Sequence, residues 1–452
     1  MGPPLGRSVI GQYPWDPFPP GEPDPKGPDP VHSLAFRSAV TAADAYHAVR
    51  VAVRREAGTI RLGNRFVPEG RYREVAFLAF GNAADSMALG ALHAVGDRLT
   101  QGFLASPNPT PPELPFRNIE VPPGWPGTPL AATVAHAATE LAGDLGEQDL
   151  LLVLLSPGAL RALAEPPPGM SPADFARLLA RAAELGATGR EVGLLARVLG
   201  TGGVGGRLAA AVPRADIVTL VIDRGDGPAV LGGGPMRPVA PAERIEARAL
   251  LERVGLTSAL PATAVHALAP DPSAPLSSRA PRPVAIANPS DALRAASDAV
   301  FDKGWTSRLA FLNVREPPGA AAERFVARSE EVYRGEPLTA ESRTRGIACF
   351  AMTTLGLPEG LDEGPALGAF LTRAQPLLNR REMSVGLFRT GGDLSPPTSG
   401  GPSSFPPGAV VGAPTDPDAK VAPGRARAVR MKAGITDVGC LAVALYPRPG
   451  SA

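Results

Sequence analysis

Short apolar runs recur along the chain at Val75–Phe80, Leu150–Leu155, Ile217–Ile222, Val284–Ala287 and Leu309–Val314, separated by glycine, proline and polar residues. They are nearly continuous rather than alternating, the pattern of strands buried on both faces of a parallel sheet. Helical patterns lie between and before them. From Ser33 onward, Leu34, Val40, Ala43 and Val49 suit a buried stripe. Ser171-Pro172-Ala173-Asp174 offers an N-cap serine, a proline at the first helical position and an acid in the first turn. Phe175, Leu178, Leu179 and Ala182 then face one way, and Gly186 can end that helix. Strands alternating with helices predict an α/β fold with a doubly wound, mostly parallel sheet, whose ligand site lies beyond the C-terminal ends of its strands. Gly81, Ser156, Asp223 and Asn288 all stand at such ends.

At 452 residues the chain exceeds one typical core. Three parts are expected: a proline-rich N-terminal arm over 1–32, the doubly wound domain over 33–275, and a hinge with a smaller C-terminal α/β domain over 276–452. In the arm, Pro14, Pro17, Pro19, Pro20, Pro23, Pro25, Pro28 and Pro30 exclude regular helix, while Tyr13, Trp15 and Phe18 are potential anchors on this or a neighbouring subunit. The proline-rich segment 269–283 reads as a linker, and 396–407 and 413–423 as loops.

Lys plus Arg number 45 against 44 Asp plus Glu, a formal charge of +1, so no bulk electrostatic case exists for nucleic acid or an anionic membrane. No apolar stretch approaches a membrane span, and the N-terminus lacks a signal-peptide core. Cys349 and Cys440 are far apart and have no metal-ligand neighbours, which argues against a disulfide framework and fits a cytoplasmic setting. His32, His47, His93, His136 and His266 lack metal-ligand spacing and read as structural.

Gly200-Thr201-Gly202-Gly203-Val204-Gly205 matches a dinucleotide-binding spacing. That fingerprint requires a preceding strand, whereas Gly189–Leu199 has helical character, so a nicotinamide or flavin role is set aside. Ser156-Pro157-Gly158 is likewise not a hydrolase nucleophile elbow. Asp223 and Asp226 have the oxygen chemistry of a Mg²⁺ site, and equally the chemistry of a polar turn. Arg197 suits a carboxylate or phosphate, and equally the surface of a helix.

The order and spacing of these corners resemble the glycerate 2-kinase family, whose members phosphorylate glycerate on its 2-hydroxyl with ATP. The segments that carry the resemblance are Phe80-Gly81-Asn82-Ala83-Ala84, Ser156-Pro157-Gly158-Ala159-Leu160, Arg197-Val198 through Thr201 to Val204-Gly205-Gly206-Arg207, Asp223-Arg224-Gly225-Asp226-Gly227 and Gly232-Gly233-Gly234-Pro235. Near the C-terminus, Ile435-Thr436-Asp437-Val438-Gly439 is similar to a further family turn. The resemblance is good from about Leu34 to Gly335 and scattered afterwards.

What the resemblance implies is a nucleotide and hydroxy-acid cleft with contacts at Gly81, Ser156, Gly158, Arg197, Thr201, Gly205 and Gly206, and with Asp223 and Asp226 toward a metal. The departures are pointed. Asn82, Val198 and Val204 occupy positions where the family carries lysine, the histidine of one family motif is absent near Trp125, and one acid of the third corner is Gly227. Phosphoryl transfer relies on positioning and charge neutralisation, so three lost cations weaken it directly. Pro157 also removes a backbone N–H from a turn that would cradle phosphate.

Two functions follow. In the first, the chain is a non-catalytic binding, regulatory or structural subunit with a protein partner or a second copy. In the second, it is an active ATP- and Mg²⁺-dependent kinase for a small hydroxy acid, with its cations drawn from Arg161, Arg197, Arg207 or Arg224.

Overall fold

The computed structural model describes residues 30–108, 110–122, 124, 126–212, 214–225, 227, 234–269, 282–335, 344–354, 369–370, 372–374, 377, 384–389, 409–411, 427–428 and 440–447. Most of the proline-rich arm and of the segment 269–283 lies outside the described residues, as do Trp125, Asp226, Gly232, Gly233 and Thr436.

Helices α1 (Pro30–Ala42) and α2 (Ala45–Ala52) open the described fold, α1 beginning three residues before the sequence pattern places it. A small antiparallel meander follows, β1 (Val53–Glu56), β2 (Thr59–Leu62) and β3 (Arg65–Pro68), with no counterpart in the apolar runs. The main domain then unfolds as β4 (Glu74–Phe80), α3 (Ala84–Val95), β5 (Leu99–Ser106), β6 (Arg117–Glu120), α4 (Ala131–Gly143), β7 (Asp149–Leu155), α5 (Ala159–Leu163) and β8 (Ala164–Glu165). It continues through α6 (Pro172–Glu184), α7 (Gly189–Leu199), β9 (Thr201–Gly202), α8 (Arg207–Ala210), β10 (Asp216–Ile222), α9 (Pro241–Arg253), α10 (Ala262–Ala267) and β11 (Val284–Ala287).

Six of these strands form one sheet in the order β11-β10-β7-β4-β5-β6, and every neighbouring pair is parallel. The chain leaves β4 toward β5 and β6 on one side, then returns to β7, β10 and β11 on the other. The topological switch point therefore lies between β4 and β7, the place where an open α/β sheet leaves a crevice beyond its strand ends.

All seven residues of β7 and six of the seven in β4 are buried, as expected of a doubly covered sheet. Alternate side chains nevertheless serve separate cores. Val75, Phe77, Ala79, Leu150, Leu152 and Leu154 join a cluster with α1, α2 and α3. Ala76, Leu78, Phe80, Leu151, Val153 and Leu155 join another with α4, α5, α6 and α7. Helix α6 forms where its pattern predicts: the Ser171 side chain accepts the Asp174 N–H, and Phe175, Leu178, Leu179 and Ala182 are its buried residues.

The second half contains α11 (Pro289–Phe301), β12 (Thr306–Val314), α12 (Pro318–Gly335), β13 (Gly346–Thr353), β14 (Ser384–Arg389), β15 (Ala409–Val411), β16 (Arg427–Ala428) and β17 (Cys440–Pro447). Its sheet runs β12-β13-β17-β14-β15-β16, parallel only between β12 and β13. Helix α1 packs along α11, and the first core cluster continues into this sheet through Ala348, Phe350, Met352, Leu441 and Val443.

One expectation is corrected here. The run Leu309–Val314 is not buried on both faces; it belongs to β12, at the edge of the second sheet among the described strands. Leu309 is 54% and Leu312 50% exposed, and the pairing with β13 shifts register around them. An apolar run announces a strand without saying which sheet takes it, and an edge position with irregular pairing leaves such residues open to solvent. The run Val284–Ala287, by contrast, extends the main sheet beside β10 although it lies past residue 275.

Because Leu151 and Leu152 point into different clusters, Leu151→Ala and Leu152→Ala should each cost about 2–5 kcal/mol. Each variant loses packing in a separate core cluster, and denaturant unfolding measures each loss.

Candidate functional site at the strand ends

The turns that follow β4 and β7 close directly on one another. Phe80 is in register with Leu155, so Gly81 and Ser156 emerge side by side. Gly81 has φ +109°, and a Cβ there would lie 2.6 Å from Ser156 Oγ and 2.7 Å from the Pro157 carbonyl oxygen. Only glycine fits both the conformation and the approach. Every N–H of the first turn donates inside the protein: Gly81 to Ala105 O at 3.2 Å, Asn82 to Pro157 O at 2.8 Å and Ala84 to Gly81 O at 3.2 Å. The Ala83 N–H donates to Ser156 Oγ at 2.9 Å, and that hydroxyl donates to Phe80 O at 3.2 Å. The N–H groups a phosphate would need are therefore engaged, and Pro157 has none. The Gly81–Ala84 turn by itself thus leaves no backbone donor for a phosphate.

A buried polar cluster surrounds the turn. Arg161, in α5, is 1% exposed, and its Nη2 donates to Asn82 Oδ1 at 2.9 Å. Gly158, φ +92°, makes room for this contact, since a Cβ there would stand 2.8 Å from the same Asn82 oxygen. On the other side, Asn108 Nδ2 donates to the Asn82 carbonyl at 2.8 Å and to Asp85 Oδ1 at 3.1 Å. Ser106 Oγ also donates to Asp85 Oδ1, at 3.3 Å. Burial pushes the Asp85 carboxyl up to about 7, against the lowering effect of Asn108, of its own and the Ser86 backbone N–H, and of Ser106. Sequence reading missed Asp85, Ser106 and Asn108. Their signal was available only as polar residues just past a strand end, and β5 itself, interrupted by Gln101 and Gly102, had no clear apolar run.

The glycine corner after α7 is a structural joint. Gly189–Leu199 is helical, in keeping with the rejection of a dinucleotide fingerprint. Gly205 and Gly206 donate their N–H groups to the Gly234 carbonyl at 2.7 and 3.4 Å, and Thr201 Oγ1 donates to Pro166 O at 2.9 Å. Arg197 is buried against Glu243, which also accepts from Arg237. Burial lowers the Arg197 guanidinium, with Glu243 acting in the opposite direction. Arg207 turns back onto the Gly200 and Val204 carbonyls at 3.1 and 3.3 Å. Val198 and Val204 are buried in the second core cluster. Where the family resemblance places lysines, this chain has packed hydrocarbon.

After β10, Asp223 Oδ1 accepts the N–H groups of Gly225 and Gly227, both at 3.1 Å, which is the side-chain-to-backbone pattern of a polar turn. Asp226 lies outside the described residues, and among the described residues no group of three or more His, Cys, Asp or Glu converges on a point that would hold a metal. The Asp223 carboxylate is folded onto the backbone of its own turn. Asn313, in β12, and Arg315, just after it, donate to the Arg224 and Gly225 carbonyls and bring the second half of the chain against this turn. Asn288 caps α11, its Oδ1 accepting the Ser290 and Asp291 N–H groups.

A separate cavity of about 370 Å³, lined by His47, Arg50, Arg54, Arg55 and His93 among others, lies by the C-terminal end of α3, away from the strand ends. Two of its arginines are already paired, Arg54 with Glu56 and Arg55 with Glu69 and Asp97. No helix among the described residues is long and apolar enough to cross a membrane.

The sheet, its switch point and the glycine-bearing strand-end turns define a doubly wound α/β protein. Residues 32–269, just over half of the 452, match the profile of a domain of unknown function, DUF4147, and the chain belongs to that family. It is 35% identical over 178 residues to a provisionally named hydroxypyruvate reductase of Agrobacterium vitis, covering 38% of this chain and 45% of that protein. To a glycerate kinase of Danio rerio it is 31% identical over 209 residues, covering 42% and 41%. The matched segments thus span less than half the length of these curated relatives. Two crystal structures share the fold at 19% identity, each matched over 92% of this chain and 98% of the other: the PH0495 protein of Pyrococcus horikoshii OT3, with a TM-score of 0.64, and a glycerate kinase of Thermotoga maritima, with 0.63. The resemblance to glycerate kinases read from the turns is borne out.

Native Asp85 keeps its proton up to about pH 7, whereas the unfolded residue loses it near 3.8. The stability this proton confers is complete below the unfolded value and disappears as pH rises through the native one. Asp85→Asn should therefore match the wild type near pH 4 and exceed it at pH 8, by at most about 4 kcal/mol, in urea melts across that range.

Proposed function

We propose that this protein is a glycerate kinase-like family member whose strand-end site has given up phosphoryl transfer and serves as a non-catalytic binding, regulatory or structural subunit. One observation carries the reading: the N–H groups of the Gly81–Ala84 turn all donate within the protein, two of them into the facing Ser156–Pro157 turn. Oxyanion stabilisation by preorganised donors is usually the largest catalytic contribution in reactions of this kind, and donors already engaged cannot supply it. The hydrocarbon at Val198 and Val204 and the Asp223 carboxylate held by the backbone of its own turn support the same reading.

A second reading is favoured by Arg161. Its guanidinium sits against Asn82, so positive charge reaches the turn from α5 at the place where the resemblance expects a lysine. Arg197 and Arg207 are poorer candidates, being held by Glu243 and by backbone carbonyls. On this reading the protein is an ATP- and Mg²⁺-dependent kinase for glycerate or a similar small hydroxy acid.

A ³¹P NMR time course of the purified protein with ATP, Mg²⁺ and D-glycerate separates the two. Unchanged ATP is expected, alongside turnover by an active glycerate kinase under the same conditions. A new phosphomonoester resonance would overturn the non-catalytic reading, and its loss in Arg161→Gln would then assign the displaced cation.

A further inference from the structure

Asn108 joins two segments that the sheet alone would leave independent. It lies in the loop after β5, yet its side-chain nitrogen bonds the Asn82 carbonyl at 2.8 Å and Asp85 Oδ1 at 3.1 Å, with Ser106 Oγ at 3.3 Å. Its backbone N–H donates to Ser106 Oγ at 3.1 Å, and its carbonyl accepts from Asn118 on β6 at 3.3 Å, so the loop itself is well held. The Asn108 Oδ1 atom, in contrast, is a buried acceptor without a hydrogen-bond partner.

We propose that Asp85 is a positioning residue that sets the Asn82 turn through the Asn108 amide, so that the strand-end site takes one arrangement when Asp85 is ionised and another when it is protonated. An ionised Asp85 is acceptor-only and holds Asn108 Nδ2, the arrangement seen. A protonated Asp85 becomes a donor, and the acceptor that suits it on the same side chain is the unsatisfied Asn108 Oδ1. Turning the amide to take that proton withdraws Nδ2 from the Asn82 carbonyl and frees the turn on its β5 side.

The groups around Asp85 set the direction of the response. From the β5 loop come Ser106 and Asn108, from its own helix Ser86 and the positive end of α3, and from the β4 turn Asn82, all uncharged side chains. Arg161 of α5 is the charged side chain in this described network, and it donates to the Asn82 side chain. Burial opposes ionisation and brings the change of state to about pH 7, where it bears on the site under ordinary conditions.

Full-length protein with selectively labelled asparagine and aspartate tests this by NMR between about pH 5 and 9. The expected result is that the Asp85 carboxyl, the Asn108 side-chain amide and the Asn82 backbone amide move together with one midpoint near 7. In Asp85→Asn the Asn82 and Asn108 responses should be lost. Asn108→Ala is the discriminating variant: Asp85 should still titrate while the Asn82 amide no longer follows, an uncoupling that a purely structural role for Asp85 would not produce. An Asn82 response that persists undiminished in Asn108→Ala, or an Asn82 amide that stays still in the wild type while Asp85 titrates, overturns the proposal, as does the absence of any Asp85 titration in this range. Should Asp85→Asn fail to fold, the wild type and Asn108→Ala decide the question between them.

Discussion

The close approach of two backbone turns at the switch point of the main sheet governs the rest of the strand-end region. Gly81 can meet Ser156 and Pro157 only because it has no side chain and takes a positive φ. Once it does so, the Asn82 and Ala83 N–H groups find their acceptors in the facing turn, and Ser156 bridges both. Side chains then have fixed places around this joint. Asn82 faces Arg161 on one side and receives Asn108 on the other, while Asp85 enters the first turn of α3 behind them.

This joint changes what the site can do chemically. A phosphate-binding turn keeps its donors pointed at a ligand and leaves them unsatisfied until one arrives, at a cost in stability. Here the same glycine-bearing backbone satisfies its donors internally, and hydrocarbon fills two of the positions where the family resemblance expects cations. The strand-end glycines serve the packing of the turns, a requirement separate from catalysis. The curated relatives carry names from two reaction classes, a reductase and a kinase, and a shared fold does not choose between them.

Arg161 shows how context reassigns a residue. In the sequence it is one of four arginines near the corners, all of them candidates to replace a lost lysine. Packing separates them: Arg197 is taken by Glu243, Arg207 by carbonyl oxygens of its own corner, and Arg161 by the Asn82 side chain. A similar sorting applies to the acids. Asp223 stands out in the sequence and proves to organise its own turn, whereas the inconspicuous Asp85 sits at the centre of the buried polar cluster.

Continuous apolar runs, capping residues and glycines at strand ends were sufficient, from the sequence by itself, to define the α/β class, the strands β4, β7, β10 and β11, the helix α6 with its buried face, and the family. These features are local: side-chain periodicity and backbone freedom act over a few residues. Other features depended on partners distant in the chain. The interrupted strand β5 is held between β4 and β6, the edge position of β12 is set by its pairing with β13, and the Asn82–Asn108–Asp85 cluster joins the segment after β4 to the loop after β5. Whether a buried charge is paired, a donor is free or an acid keeps its proton is decided by distance and desolvation, and those quantities exist only once the tertiary structure has brought the segments together.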